Sequence, residues 1–342
     1  MKTLCLPLLA SFMISGALQA KPAMEAPNTQ MKAVLDELSE KKGKPIETLS
    51  AGEARKQPTP TDAVMSLLKD MKKSTTPEKV AKVEDRTIKG AQGDITARFY
   101  FPEGKGPMPV IVYYHGGGWV IATNDTYDAT PRALANRAKA IVISPEYRKA
   151  PENKFPAAHE DAYAAYKWVV ENAASFNGDP GKIAVAGESA GGNMALNVAI
   201  MARDQKMAIP VHQLLVYPVA STDMNSESFK ENADAKPLNK AMMNWFSKQY
   251  LNSMDEAKDP RMNLVAANLK GLPATTIITA EIDPLRSGGK ELSDKLRAAG
   301  VEVEYKNYDG VTHEFFGMAS VLDEAKNAQE FAANELKDSF RK

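Results

Sequence analysis

The 342-residue chain has a single cysteine, Cys5, and it lies within the first twenty residues. A structural disulfide is therefore excluded, and no thiol remains elsewhere to serve as nucleophile or metal ligand. Charge of one sign is lacking too: Lys+Arg and Asp+Glu are both 43, the formal net charge is zero, and no basic block stands out. Such a surface does not neutralise a row of phosphates, so nucleic acid is not an expected partner. No G-x-x-x-x-G-K-[ST] phosphate loop occurs. The segment "HEFFG" begins like a zinc-binding H-E-x-x-H helix, but Gly317 occupies the second histidine position and no metal pair forms. Histidine is scarce as well, with only His115, His159, His212 and His313.

The opening "MKTLCLPLLASFMISGALQA" runs from Lys2 through an apolar stretch to small residues, the pattern of a secretory signal peptide cleaved after Ala17 or Ala20. Ser11, Ser15 and Gly16 interrupt the stretch, which falls short of the ~20 apolar residues of a spanning helix. Export to the periplasm or beyond the cell is expected, leaving a mature chain without thiols and without a stable membrane span. The oligomeric state is not legible.

From residue 85 onward, "RTIKGAQGDITARFYF" alternates about a Gly-rich turn as a hairpin does. Then "PVIVYY", "AIVISP", "KIAVAG", "HQLLVYP", "ATTIITA" and "VEVEYKNY" each read as strands. Helical stretches near residues 131–138, 157–173, 192–203, 284–299 and 319–336 alternate with them. This rhythm predicts an α/β fold with a mainly parallel sheet covered on both faces. Residues 220–270 break the rhythm, and their "KAMMNWFSKQYL" helix reads as part of an insertion above the sheet. Residues 21–80 are polar, with amphipathic segments at 31–38 and 63–71.

Chemistry enters with "GESAGG". Gly187, Glu188, Ser189, Ala190 and Gly191 match G-x-S-x-G, in which a sharp strand-to-helix turn thrusts the serine hydroxyl out at the top of the sheet. The bare pattern arises by chance in roughly one chain in ten of this length at average Gly and Ser usage. Its place between a predicted strand and a predicted helix gives it weight. The "HGGGW" run after another strand, with Gly116, Gly117 and Gly118, leaves backbone N–H groups unshielded and able to stabilise an oxyanion. Serine needs a base, and the base follows it in this fold. Of the two downstream histidines, His212 begins a strand, whereas His313 follows the last one and is the better candidate. Asp283, just past a strand end, is the favoured acid, with Glu281 and Asp309 as near rivals.

Taken together, "HGGGWV", "SPEYRKAPENKFPAAHEDA", "GESAGGNMAL", "KGLPATTIITAEIDPLRSGG" and "AAGVEVEYKNYDGVTHEFFGM" resemble the hormone-sensitive-lipase-like branch of the α/β-hydrolases, also called family IV esterases, over about residues 83–318. The resemblance implies Ser189 as nucleophile, Asp283 as acid, His313 as base, and the N–H groups of Gly116, Gly117 and Ala190 as the oxyanion hole. It also implies hydrolysis of short- to medium-chain carboxylic esters with no cofactor and no metal, the only partner being a small-molecule ester. It implies a leader at 1–20, N-terminal cap helices within 21–82, and a catalytic domain at 83–342 carrying a cap insertion at about 221–258. Departures are Glu188 where many relatives have Asp or Thr, "DPRMNL" without its usual Ser-Pro, and Glu314 where Gly is common.

The segment 147–158 and Asp161 read as structural braces, and Met242, Met243, Trp245 and Phe246 as either pocket lining or cap core. Amide, arylformamide or lactone hydrolysis on the same triad stays open, because an acyl-transfer triad does not select its leaving group. The plant gibberellin receptors resemble this fold but lack the base, so the presence of His313 favours an enzyme over a receptor-like binding protein.

Overall fold

The computed structural model describes residues 24–342. The expected leader at 1–20, with Cys5, lies outside the described residues. The sheet is built from β1 (Lys82–Gly90), β2 (Gly93–Phe101), β3 (Met108–Tyr114), β4 (Ile141–Pro145), β5 (Gly178–Glu188), β6 (His212–Val216), β7 (Ala274–Ile282) and β8 (Val303–Thr312). Their spatial order is β1-β2-β4-β3-β5-β6-β7-β8. The hairpin β1–β2 and the β2–β4 pair are antiparallel, and the remaining pairs are parallel.

The strands β3 to β7 read as continuous apolar runs because both faces are covered. Alternate residues divide between two cores. Val110, Val112, Val185, Leu215 and Ile277 point to one cluster, packed by α5 (Ala157–Asn172), α6 (Ala190–Asp204) and α9 (Arg286–Ala298). Ile111, Tyr113, Ala184, Leu214 and Ile278 point to the other, packed by α4 (Ala129–Ala138) and α10 (Asp323–Arg341).

The N-terminal helices are α1 (Thr29–Glu40), α2 (Ala51–Ala54) and α3 (Pro60–Asp70). Asn28 caps α1 by accepting from the Met31 N–H at 2.8 Å. Thr59 and Asp62 form a reciprocal capping box at α3, with Pro60 in its first turn. The insertion contributes α7 (Glu227–Glu231) and α8 (Lys240–Tyr250), the latter capped by Asn239. Met31, Val34, Ala63 and Val64 join one sheet cluster, whereas Ala51, Ala54, Trp245, Phe246 and Tyr250 join the other. Both segments are thus continuous with the sheet's own cores.

Three expected boundaries move, each for a stated reason. The helix expected from residue 192 begins at Ala190, because the turn after β5 contains one residue only. The strand expected to end at residue 308 runs to Thr312: an irregularity in the β7–β8 pairing aligns Ile282 with Thr312, so the Gly-Val-Thr segment before His313 is strand, not loop. The helix expected from residue 319 starts at Asp323, after a turn of 3-10 helix at Phe315–Met318.

The tight turn after β5 also fixes two glycines. A side chain on Gly187 would enter the Gly191 backbone, and one on Gly191 would enter the Tyr114 carbonyl. Backbone cannot swing aside as a flexible side chain does, so Gly191→Ala is expected to lower stability by ~3 kcal/mol or more. Urea unfolding of the variant against the parent chain measures this; an unchanged midpoint would show that the strand and helix are free to separate.

Candidate active site

Ser189 is the single residue between β5 and α6, and it adopts φ 57°, ψ −118°. A non-glycine residue in such a sparsely populated region costs ~1–3 kcal/mol. Three backbone hydrogen bonds hold it there. Its N–H donates to the Val216 carbonyl at 2.9 Å, and its carbonyl accepts from Val219 N at 3.1 Å and Asn193 N at 3.1 Å. At ~1 kcal/mol each these offset the strain, and the side chain is aimed away from the packed turn.

His313 comes directly off the end of β8 and is 3% exposed. Its Nδ1 lies 2.7 Å from Asp283 Oδ2. Asp283 is fully buried just past β7, and its other oxygen accepts from the Leu285 N–H at 2.8 Å, which fixes the carboxylate plane. Burial disfavours the imidazolium, but the charge and hydrogen bond of Asp283 together with the fields of Glu314 and Glu188 outweigh it, and the pKa of His313 is raised from its ordinary value. The Tyr217 ring packs against the imidazole at 4.5 Å between centroids. Neither rival acid reaches the ring. Glu281 accepts from the Gly310 N–H at 2.6 Å, and Asp309 accepts from Asn307 at 3.2 Å.

Ser189 and His313 line one cavity of about 880 Å³, together with Gly117 and Gly118. Gly117 has φ 96°, a conformation open to glycine. Gly116 lies one residue back, closed over by the Tyr127 hydroxyl. Ala190 is the first residue of α6, where a backbone N–H has no intrahelical acceptor. Gly117 thus shares the serine's cavity and Ala190 follows the serine directly in the chain. The N-terminal segment and the insertion supply much of the remaining wall, among them Leu35, Leu38, Ile46, Leu238, Met242 and Phe246. The four insertion side chains left undecided by sequence divide: Met242 and Phe246 line the cavity, whereas Met243 and Trp245 are buried in the core, Trp245 donating to the Leu49 carbonyl at 3.1 Å.

Asp161 braces as expected, accepting from Arg148 Nε at 2.7 Å, Arg148 N at 3.0 Å and Ala91 N at 2.9 Å. Two participants were not singled out by sequence: Tyr127 and Tyr217. Tyr217 had a readable signal, since it follows β6 at the same carboxyl edge as Ser189. Among the described residues, no group of three or more His, Cys, Asp or Glu is placed to hold a metal, and no helix is long and apolar enough to cross a membrane.

The other histidines are structural. His115 stacks on Tyr147 at 4.4 Å, and its Nδ1 lies 2.8 Å from the Gly116 carbonyl oxygen. His159 bridges Tyr250 and Asn193 at 2.7 and 2.8 Å, tying α5 to α8 and α6. His212 lies at the start of β6, away from the serine edge, between Thr276 and Ser339 at 3.0 and 2.9 Å.

Residues 111–317 match the family model described as alpha/beta hydrolase fold. The carboxylesterase NlhH of Mycobacterium tuberculosis is 43% identical over 254 residues, covering 72% of this chain and 79% of that protein. An ethyl acetate hydrolase of Pseudomonas putida is 33% identical over 289 residues, covering 82% of this chain and 88% of that protein. Among solved structures, a hyperthermophilic esterase of Pyrobaculum calidifontis superposes with TM-score 0.82 at 36% identity, covering 92% and 99% of the two chains. A thermostable esterase of Pseudomonas putida gives TM-score 0.84 at 32% identity, covering 93% and 99%.

Burial pushes both His159 and His212 down to about 4. The unfolded chain takes up these protons near the ordinary value of 6.5, so stability is full above that pH and drains as pH falls towards 4. Each histidine contributes ~3 kcal/mol to this loss. Urea unfolding at several pH values between 7.5 and 4.5 reads the slope, and His212→Gln removes about half of the two-histidine share. A slope identical in the variant would contradict the assignment.

Proposed function

The chain belongs to the hormone-sensitive-lipase-like branch of the α/β-hydrolase family, and from that premise we propose that it is a serine carboxylesterase of short- to medium-chain esters, with Ser189 as nucleophile, His313 as base and Asp283 as acid. The observation that carries this reading is the 2.7 Å contact between His313 Nδ1 and Asp283, with Ser189 opening into the same cavity.

Asp283 holds the imidazole in the tautomer whose Nε2 accepts a proton. His313 takes the Ser189 hydroxyl proton as the oxygen attacks the ester carbonyl, and the developing oxyanion is met by the N–H groups of Gly116, Gly117 and Ala190. His313 then returns the proton to the departing alcohol. In the second half, water gives a proton to His313 as it attacks the acyl-enzyme, and collapse releases the acid and restores Ser189. The apolar wall of Leu35, Leu38, Ile46, Met242 and Phe246 suits an acyl or alcohol chain. The leader read from the sequence supports export, tested by mass spectrometry of the mature amino terminus.

Ser189→Ala is expected to abolish turnover of chromogenic esters and labelling by a fluorophosphonate while leaving the unfolding midpoint near that of the parent chain. Asp283→Asn is expected to lower kcat by ~10⁴ through the wrong imidazole tautomer. Full activity in the serine variant would remove the proposal. An acyl-chain series run beside matched amide and lactone substrates reads the specificity.

A further inference from the structure

Two acids stand inside the site without a part in that mechanism. Glu188, the residue before Ser189, is 1% exposed and accepts hydrogen bonds from the hydroxyls of Tyr113 and Tyr217. Glu314, the residue after His313, has φ 73°, a left-handed conformation that turns its side chain back towards the base. Its Oε1 accepts from the Tyr127 hydroxyl at 2.6 Å and lies 3.9 Å from His313 Nε2, the nitrogen that handles the reacting proton. Among the described residues neither carboxyl has a lysine or arginine partner within ion-pair distance.

We infer that Glu188 and Glu314 form a coupled carboxyl pair that keeps one proton behind the reacting groups, with Glu314 as a positioning residue for the His313 imidazolium and Glu188 as the seat of the proton. This rests on the esterase reading above. Both carboxyls line one small cavity, where each negative charge disfavours ionisation of the other, so their titrations are linked. Burial, then the field of Glu314, pushes Glu188 up to about 7 despite its two tyrosine donors. Burial raises Glu314 as well, opposed by His313 and by the Tyr127 hydrogen bond. Other titratable groups facing the pair are Asp283, His115 and Tyr147, with Glu78, Asp125 and Asp128 on the wall of the cavity that both carboxyls line. The surrounding tyrosines are pushed well above 10 by burial, so they donate hydrogen bonds and do not take part in the titration.

The sharing has a consequence for catalysis. With the proton on Glu188, Glu314 carries the negative charge, next to the nitrogen where positive charge develops. With both carboxyls ionised and Asp283 alongside, the site would hold three negative charges near one ring, those of Glu188 and Asp283 fully buried. A second cavity, of about 290 Å³, is lined by both Glu188 and Glu314. Gln329 also belongs to its wall, and its side-chain carbonyl oxygen is buried without a protein partner. A polar cavity of this size admits water. It gives Glu188 access to water on a side that neither Ser189 nor His313 lines, while Glu314 borders both cavities.

The test combines pH profiles with infrared spectroscopy on the whole chain. Wild-type ester turnover establishes the reading beneath the proposal, and the infrared signal is read without turnover, so the two can fail separately. Glu314→Gln is expected to shift the acidic limb of kcat/KM about one unit to lower pH, as a charge is removed beside His313, and to lower kcat about tenfold. Tyr127→Phe keeps the carboxyl but strips its donor, and shifts the limb the same way by less. A buried carboxylic-acid band at pH 6 is expected in the wild type and lost in Glu188→Gln. If Glu314→Gln fails to fold, Tyr127→Phe and the infrared band decide. A limb unmoved in the folded variants, or no carboxylic-acid band in the wild type, overturns the pair.

Discussion

The backbone of Ser189 is the constraint from which the rest follows. A side chain at φ 57°, ψ −118° is held only because Val216, Val219 and Asn193 bond its peptide groups from both sides. Those partners come from β6, the segment after it and α6, so the strain is carried by the central sheet rather than by the turn itself. Close approach follows: Gly187 and Gly191 have no room for a Cβ because strand and helix meet without an intervening loop. The same contact places the first free N–H of α6 beside the hydroxyl. The proposed nucleophile and one proposed oxyanion donor thus share a single geometric cause.

The proposed base and acid obey a second constraint, the alignment of β7 with β8. Pairing of Ile282 with Thr312 after a register irregularity brings Asp283 and His313 out of adjacent strands at one level. A ring and a carboxylate 30 residues apart in sequence then meet at 2.7 Å with no flexible loop between strand end and side chain. The helices over this edge are not a detached lid. Trp245, Phe246 and Tyr250 share a core with β3 and β5, while Met31 and Val34 share the other core with Tyr113 and Tyr308. Movement of the cavity wall as a rigid body would therefore expose core on both faces of the sheet.

Much of this was legible in the sequence, and the reason is physical. Parallel strands buried on both faces must be apolar throughout, so each of the runs read as a strand is one. The serine turn must carry glycines where backbones touch, and so it announces itself. Asp283 and His313 were found because both follow strands at the edge that bears Ser189. What escaped reading lies in contacts without local periodicity. The pairing shift that converts Gly310–Thr312 from loop to strand depends on β7, thirty residues earlier. The division of Met242 and Phe246 from Met243 and Trp245 depends on how α8 is rotated against the sheet. The role of Tyr217 depends on a ring two elements away.

The two glutamates show the same limit and what lies past it. In sequence they were departures flanking Ser189 and His313. Folding places each against a different tyrosine set, and Tyr217 touches both systems: its hydroxyl holds Glu188 while its ring packs on His313. A proton gained or lost at Glu188 alters the electrostatic field at the imidazole directly and the hydrogen bond that anchors the ring beside it. Asp283 sets the tautomer from the Nδ1 side, and Glu314 faces the Nε2 side at 3.9 Å. An imidazolium formed between them is stabilised along its whole length, whereas a neutral ring gains little from the outer acid. The asymmetry favours the charged intermediate over the resting state, which is the condition for such a contact to raise a rate rather than merely to hold a side chain in place.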